Sequence, residues 1–317
     1  MLKVLKENEV NDKLWDDFLK NNNGNFLQSS LWGKLKSEFG WSYFRILILE
    51  NDLPVSGAQI LIKKIYNFLT IAYIPRGPIG EVYLDFLIKE IINLTKEKRA
   101  DFLKIEPQWE DKEDLLISFN FKKGKEVQLS STIILDISDD IDKILNKKVR
   151  YEIRKAKENG IKVKYGTIED IEKFYFIFEN TAKVNNFPIR PMNYYRKILE
   201  IFKDKVLLIF AEYESKLIGT AFILCWNDTI YYLYAGTLKE YKFLPISYVL
   251  HEAAILWGKS LGCKNYDLWG ISSKMPGVNR FKKNFGGKIV NFIGAWDLPF
   301  SKFKYKIFRF AEKFLRG

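Results

Sequence analysis

The strongest constraint on this chain is that its sequence pattern occurs twice. Residues 45–64, RILILENDLPVSGAQILIKK, are matched in pattern by 208–228, LIFAEYESKLIGTAFILCWND. Each is an apolar strand, a polar turn and a second apolar strand that carries a glycine, Gly57 or Gly219. A third strand follows and ends in glycine, Gly77 or Gly236. A helical run comes next, at 84–100 or 246–262, and then a short strand, at 101–107 or 265–270. Each half then offers a Phe-Lys-Lys run with glycine, at 121–124 and at 281–287. Gly57 to Gly219, Gly77 to Gly236 and Phe121 to Phe285 are 162, 159 and 164 residues apart. Near-constant spacing over several features marks a duplication. Two α/β domains of one kind are therefore expected, at 1–145 and 146–298, followed by a basic amphipathic helix at 299–317.

Cysteine and histidine restrict the chemistry. The two cysteines, Cys225 and Cys263, sit in apolar runs, which suits buried thiols in a reducing compartment. The single histidine, His251, builds no common zinc site with them. It lies in a helical run beside no nucleophile motif, so it is expected to be a packed or surface helix residue. No run of about 18 apolar residues is free of charge, so no spanning helix is expected, and the N-terminus has no apolar signal core. No metal and no cofactor are expected.

Charge points to the partner. Lys plus Arg number 51 against 39 acids, a formal charge of +12. Such a surplus argues for nucleic acid, anionic membrane or phosphorylated substrates. It is concentrated in two places. Residues 143–164 hold nine basic residues and only Glu152 and Glu158 as acids. Lys147, Arg150, Arg154 and Lys157 recur at helical spacing and share one face, with Gly160 placed to end the helix. That face suits either solvent or a phosphate backbone. Residues 301–317 hold six basic residues and one acid, with Phe303, Ile307, Phe310 and Phe314 at three- or four-residue intervals. Such a helix lies on an anionic bilayer or docks its apolar face on the domain.

Antiparallel strands followed by a strand-helix-strand crossover match the element order of GNAT-type N-acyltransferases, in which two central strands splay and donor meets acceptor in the gap. An acyl-CoA donor needs free amides in a glycine-rich turn before the helix. Here Pro78 removes one amide in the first half, and the second half has no glycine in that turn. A donor with a larger polyanionic handle suits the charge better.

Several stretches carry a family resemblance: Gln28-Ser29-Ser30-Leu31-Trp32-Gly33-Lys34-Leu35-Lys36, Tyr73-Ile74-Pro75-Arg76-Gly77-Pro78, Arg150-Tyr151-Glu152-Ile153-Arg154, Arg190-Pro191, Tyr232-Leu233-Tyr234-Ala235-Gly236, Tyr266-Asp267-Leu268-Trp269-Gly270 and Arg280-Phe281-Lys282-Lys283 with Gly286-Gly287. In this order they resemble the FemABX aminoacyltransferases, which build peptidoglycan cross-bridges on tandem GNAT-like domains. The resemblance implies transfer of an amino acid from aminoacyl-tRNA to the stem-peptide amine of a muropeptide precursor, lipid II or UDP-MurNAc-pentapeptide. The cysteine usage and the absent signal core suit the cytoplasm, and the basic C-terminal helix favours peripheral association at the inner membrane face. The coiled-coil insertion of several members is not expected here.

The resemblance also implies roles. Lys36, Trp32, Arg190, Tyr194 and Tyr234 match acceptor-binding positions. Lys282, Phe281 and Asp267 match the reacting end of the site. Lys147, Arg150, Arg154 and Lys157 are the expected tRNA contacts. Two alternatives stand beside this: an acyl-CoA-dependent N-acyltransferase on the same fold, and a non-catalytic RNA- or membrane-binding adaptor.

Overall fold

The computed structural model describes residues 1–65 and 68–315, the side chains of 313–315 excepted. Of the C-terminal features expected above, Arg316 and the side chains of Lys313 and Phe314 lie outside the described residues.

The chain divides into two units, residues 1–130 with 291–317, and residues 131–290. In chain order the first stretch runs β1 (Leu2–Lys6), α1 (Asp12–Asn21), α2 (Ser30–Ser37), β2 (Ser42–Glu50), β3 (Leu53–Ile65), β4 (Leu69–Pro75), β5 (Ile79–Gly80), α3 (Leu84–Glu97), β6 (Phe102–Glu106), α4 (Glu113–Ser118) and β7 (Lys122–Lys123). The second unit runs β8 (Ser131–Asp136), α5 (Ile141–Ile144), α6 (Lys147–Glu158), β9 (Lys162–Gly166), α7 (Ile171–Asn185), α8 (Met192–Phe202), β10 (Val206–Tyr213), β11 (Lys216–Trp226), β12 (Thr229–Thr237), α9 (Ile246–Ser260), β13 (Asn265–Asp267), α10 (Pro276–Asn284) and β14 (Lys288–Asn291). The chain ends with β15 (Trp296–Pro299) and α11 (Lys302–Leu315).

The duplication is a structural one. The first sheet has the order β1-β2-β3-β4-β6-β15-β7, with β5 beside β3, and the second β9-β10-β11-β12-β13-β8-β14. In each, the fourth and fifth strands are parallel and the first four are antiparallel. Apolar faces explain both layers. Ile46, Ile48, Ile60, Ile74 and Ile105 meet Leu87, Ile88 and Ile91 of α3 in one core, and Ile209, Ile223, Ile230 and Tyr266 meet Leu250, Ala254 and Ile255 of α9 in the other.

Two findings depart from the sequence reading. First, the sixth strand of each sheet comes from the other end of the repeat. β8 follows β7 in sequence but pairs with β13, and β15 follows β14 but pairs with β6 and β7. The expected boundaries at 145/146 and 298/299 are therefore displaced: the first crossing falls at 130/131 and the chain returns at 291. A strand's place in a sheet is set by long-range pairing, which leaves the order of elements along the chain unchanged. Second, the two Phe-Lys-Lys runs are not equivalent. Lys122 and Lys123 form a strand, whereas Phe281, Lys282 and Lys283 lie on α10. Phe121 and Phe285, paired above by their spacing, are the equivalent residues, each buried after a helix and before an edge strand.

Candidate active site

The two halves differ where the parallel strands meet. In the first unit β4 stays paired with β6 through its last residue, Pro75 opposite Glu106. In the second, β12 pairs with β13 only at Thr229, Ile230 and Tyr231, then runs alone on that side from Tyr232 to Thr237. A bulge at Leu233 breaks its register with β11, so that Phe222 faces Tyr234 and Ile223 faces Tyr232. Bulges of this kind re-aim side chains beside sites. The gap expected of the fold therefore opens in the second unit.

Asp267 ends β13 at that opening. It is buried, and its Oδ1 accepts from the Thr132 hydroxyl and, at 2.7 Å, from the Trp269 amide. The second bond fastens a turn in which Trp269 has φ +63°, a conformation uncommon for a bulky residue. The turn presents two carbonyls to Lys282 on α10. Lys282 Nζ donates to Trp269 O at 3.1 Å and to Gly270 O at 2.8 Å. Burial lowers the Lys282 pKa to about 8, against a smaller raising effect of the Asp267 carboxylate. Among the described residues these bonds use two of its three donors and leave one for a substrate oxygen.

Phe281, the neighbour of Lys282 on α10, has its ring 5.1 Å from Tyr248 and 5.5 Å from His251. His251 is fully buried, stacked 4.1 Å from the Tyr232 ring, with Nδ1 2.7 Å from the Tyr266 hydroxyl. Burial, helped by the Lys282 charge, drops its pKa to about 3. It is a packed helix residue, as expected. Sequence reading missed its closeness to Lys282. The signal available was that the chain's one histidine sits on the α9 face whose i, i+3, i+4 neighbours are apolar.

The expected acceptor residues fall in both units. In the second, Tyr194 and Tyr234 share a hydrogen bond, and Arg190 lies over the Tyr194 ring at 6.0 Å. Burial raises the Tyr194 pKa to about 12, with Arg190 opposing. In the first, the Gln28–Lys36 stretch is mostly scaffold. Gln28 donates to Gln59 O and Pro75 O at 3.1 and 2.9 Å, tying the segment to β3 and β4. Ser29 caps α2 by accepting from the Trp32 amide at 3.1 Å. A Cβ at Gly33 would stand 2.9 Å from Gln59 Oε1, so glycine is required for the close approach. The scaffold delivers Lys36, whose Nζ lies 5.5 and 5.3 Å from the Trp32 and Trp41 rings. The buried Trp32 indole N–H has no hydrogen-bond partner among the described residues.

The four expected RNA contacts are all exposed on α6, which Gly160 ends at φ +85°. Val149, Ile153 and Ala156 bury the opposite face. Lys147, Arg150 and Arg154, with Lys148 and Tyr151, line a depression of about 650 Å³. Lys157 pairs with Glu252 at 2.8 Å and Arg150 bonds Asp142 O, so each is already partly engaged. Among the described residues no helix is long and apolar enough to cross a membrane, and no acid, histidine or cysteine cluster could hold a metal.

A family model described as the FemAB family matches residues 10–127, 116–217 and 212–313. A Lipid II:glycine glycyltransferase of Staphylococcus saprophyticus is 28% identical, over 96% of this chain and 95% of its own. That alignment runs over 395 positions against 317 residues here, so the relative carries at least 78 that have no counterpart. A UDP-N-acetylmuramoylpentapeptide-lysine N(6)-alanyltransferase of Weissella viridescens is 22% identical over 78% of this chain and 83% of its own. Among solved structures, FemX superposes with a TM-score of 0.82 at 18% identity, over 96% of this chain and 99% of that one. A tandem GNAT protein of the clavulanic acid pathway reaches 0.55 at 9% identity, over 94% and 98%.

Proposed function

The chain belongs to the FemAB family, and from that premise we propose that it is an aminoacyltransferase that extends the stem peptide of a peptidoglycan precursor, lipid II or UDP-MurNAc-pentapeptide, using aminoacyl-tRNA in the cytoplasm. The observation that carries the reading is the similarity to the glycyltransferase over 96% of the chain and to the alanyltransferase over 78% of it. The acceptor amine attacks the ester carbonyl carbon of the aminoacyl-tRNA. An amide C–N bond forms, the ester C–O bond breaks, and the tRNA terminal hydroxyl leaves with the proton lost by the amine. Because the ester is already activated, the protein's contribution is positioning and stabilisation of the developing oxyanion. The remaining N–H of Lys282 supplies a donor for that oxygen. Phe281 packs beside it, and Asp267 acts through the Trp269 turn, which makes it a positioning residue.

Trp32, Lys36, Arg190, Tyr194 and Tyr234 bind the acceptor. Arginine and lysine suit its phosphates, the unpartnered indole N–H of Trp32 supports a further donor, and the tyrosines line the sugar or peptide. Lys147, Arg150, Arg154 and Lys157 contact the RNA backbone. Tyr151, half-exposed with Arg154 5.9 Å from its ring, adds a stacking surface.

The test is incubation with total charged tRNA and each acceptor form, followed by mass spectrometry. A mass gain of one or more aminoacyl residues on either acceptor is expected. No gain with either, where the same mixture serves a known relative, sinks the reading. Changing Lys147, Arg150, Arg154 and Lys157 to Gln should reduce the salt slope of tRNA binding by up to about 3. An unchanged slope removes α6 from the RNA surface.

A further inference from the structure

The described side chains of helix α11 include two apolar sets, one of which packs on the first sheet. Tyr305 and Phe308 turn inward onto Leu69, Ile71 and Phe102, with ring centroids 5.3 and 4.9 Å from Phe102. Glu312 shares that side and is buried. Phe303, Ile307 and Phe310 follow i, i+4, i+7 spacing on the far side and are 71, 42 and 65% exposed. Phe68, beside the start of β4, adds another ring at 45% exposure, with Lys304 Nζ 5.4 Å from it. Single exposed apolar residues are ordinary, but a row of large ones along one helix marks an interaction surface.

The charges around the stripe have one sign. At 100° per residue, Lys302 and Lys306 flank it on one side and Lys304 on the other. Lys302 and Lys306 are exposed and paired with no carboxylate among the described residues. The acids near the helix face the sheet and are engaged: Asp101 with Lys304 at 3.0 Å, Asp297 with the Tyr305 hydroxyl at 2.7 Å, and Glu312 with Arg309 at 2.9 Å.

We propose that this stripe is a membrane-docking surface, on which α11 lies in the plane of an anionic bilayer. Rings flanked by long lysine stems match an interface whose outer layer is phosphate and whose inner layer is hydrocarbon, because the stems reach the headgroups while the rings go deeper. The Tyr305 and Phe308 contacts hold the helix against its sheet, so it seats flat and shallow. Anionic phospholipid headgroups such as phosphatidylglycerol supply the counter-charge. This surface is separate from the transfer chemistry and does not depend on it.

The test is co-sedimentation of the full chain with vesicles of phosphatidylglycerol and phosphatidylcholine in equal parts, against phosphatidylcholine alone. Partition at least about tenfold stronger on the anionic vesicles is expected. The pair Phe303→Ser and Phe310→Ser, and separately Lys302→Glu and Lys306→Glu, should each weaken it by at least about tenfold, with unchanged thermal melts because all four positions are exposed. No binding to anionic vesicles overturns the proposal, as does binding that neither pair weakens. A lipid-free dimer that the serine pair dissolves also overturns it, since the stripe then meets a second copy. The readout requires no amino acid transfer, so its failure and that of the transferase reading are distinct.

Discussion

Lys282 Nζ sits 2.8 Å from the carbonyl oxygen of Gly270, at a position only 9% exposed. A charged amine held on backbone carbonyls away from water is costly to the fold. Its pKa is near 8 rather than 10.5 because burial penalises the ammonium. Between those values the unfolded chain holds a proton that the folded chain releases. The cost is therefore complete below pH 8 and relieved as pH rises through that window. It amounts to about 3 kcal/mol, partly offset by two hydrogen bonds of about 1 kcal/mol each. Lys282→Met should leave stability at pH 7 equal or about 1 kcal/mol higher while lowering turnover on the order of 100-fold. Urea melts and single-turnover rates check both. A destabilised variant with normal turnover refutes the assigned role. From pH 7 to 9, as Lys282 loses its proton, any stability gain of Lys282→Met should shrink, and so should the wild-type advantage in turnover.

The Asp267 carboxylate supports the Lys282 charge, and its Oδ1 also holds the Trp269 amide at 2.7 Å. Asparagine keeps an oxygen there and removes the charge. Asp267→Asn should therefore preserve the fold and move the loss of Lys282-dependent rate about one pH unit lower. Asp267→Ala should release the turn and lower turnover at every pH. Identical pH profiles for wild type and Asp267→Asn would show that the two groups are uncoupled.

His251 gives a second pH prediction, of the same sign in a lower window. Its folded pKa of about 3 lies below the ordinary 6.5. In that window the unfolded chain binds a proton and the folded chain does not, so stability falls as pH drops below 6.5. The contribution is on the order of 1.4 kcal/mol per pH unit. As the only histidine, it gives a single imidazole signal, which should stay at the neutral position down to pH 5. A midpoint near 6.5 would place the ring in water. His251→Phe should flatten the acid slope of stability.

The duplicated strands were legible because each is a dense apolar run separated from the next by a polar turn, as in 45–64 and 208–228. The exchange of β8 and β15 was not, since both are short strands whose pairing is decided by residues far away in sequence. Phe121-Lys122-Lys123 and Phe281-Lys282-Lys283 read alike, yet helix and strand place them differently, and only Lys282 becomes a buried amine. On α11 the outward set at 303, 307 and 310 and the inward set at 305 and 308 both have helical spacing. Periodicity finds stripes, and packing decides which one docks.

β15 brings one buried acid into the first sheet, and the attachment of α11 depends on it. Asp297 is fully buried, with Oδ1 2.7 Å from Lys104 Nζ and Oδ2 accepting from the Tyr305 hydroxyl at 2.7 Å. Gly124 leaves it room, since a Cβ there would stand 2.7 Å from the carboxylate. Lys104 is also buried; it donates to the Lys125 carbonyl at 2.9 Å and its charge reaches the Glu106 carboxylate. Asp297→Ala strands that ammonium and frees Tyr305, at a cost of about 3–5 kcal/mol. Asp297→Asn keeps an acceptor for each neighbour and should cost less. Replacing the pair together, Lys104→Met with Asp297→Leu, should recover most of the loss, because the uncompensated charge is then gone. Urea melts rank the three, and limited proteolysis should cut within 300–315 faster in Asp297→Ala than in wild type. An alanine variant within 1 kcal/mol of wild type, with α11 equally protected, would mean that the Phe102, Tyr305 and Phe308 rings alone hold the helix.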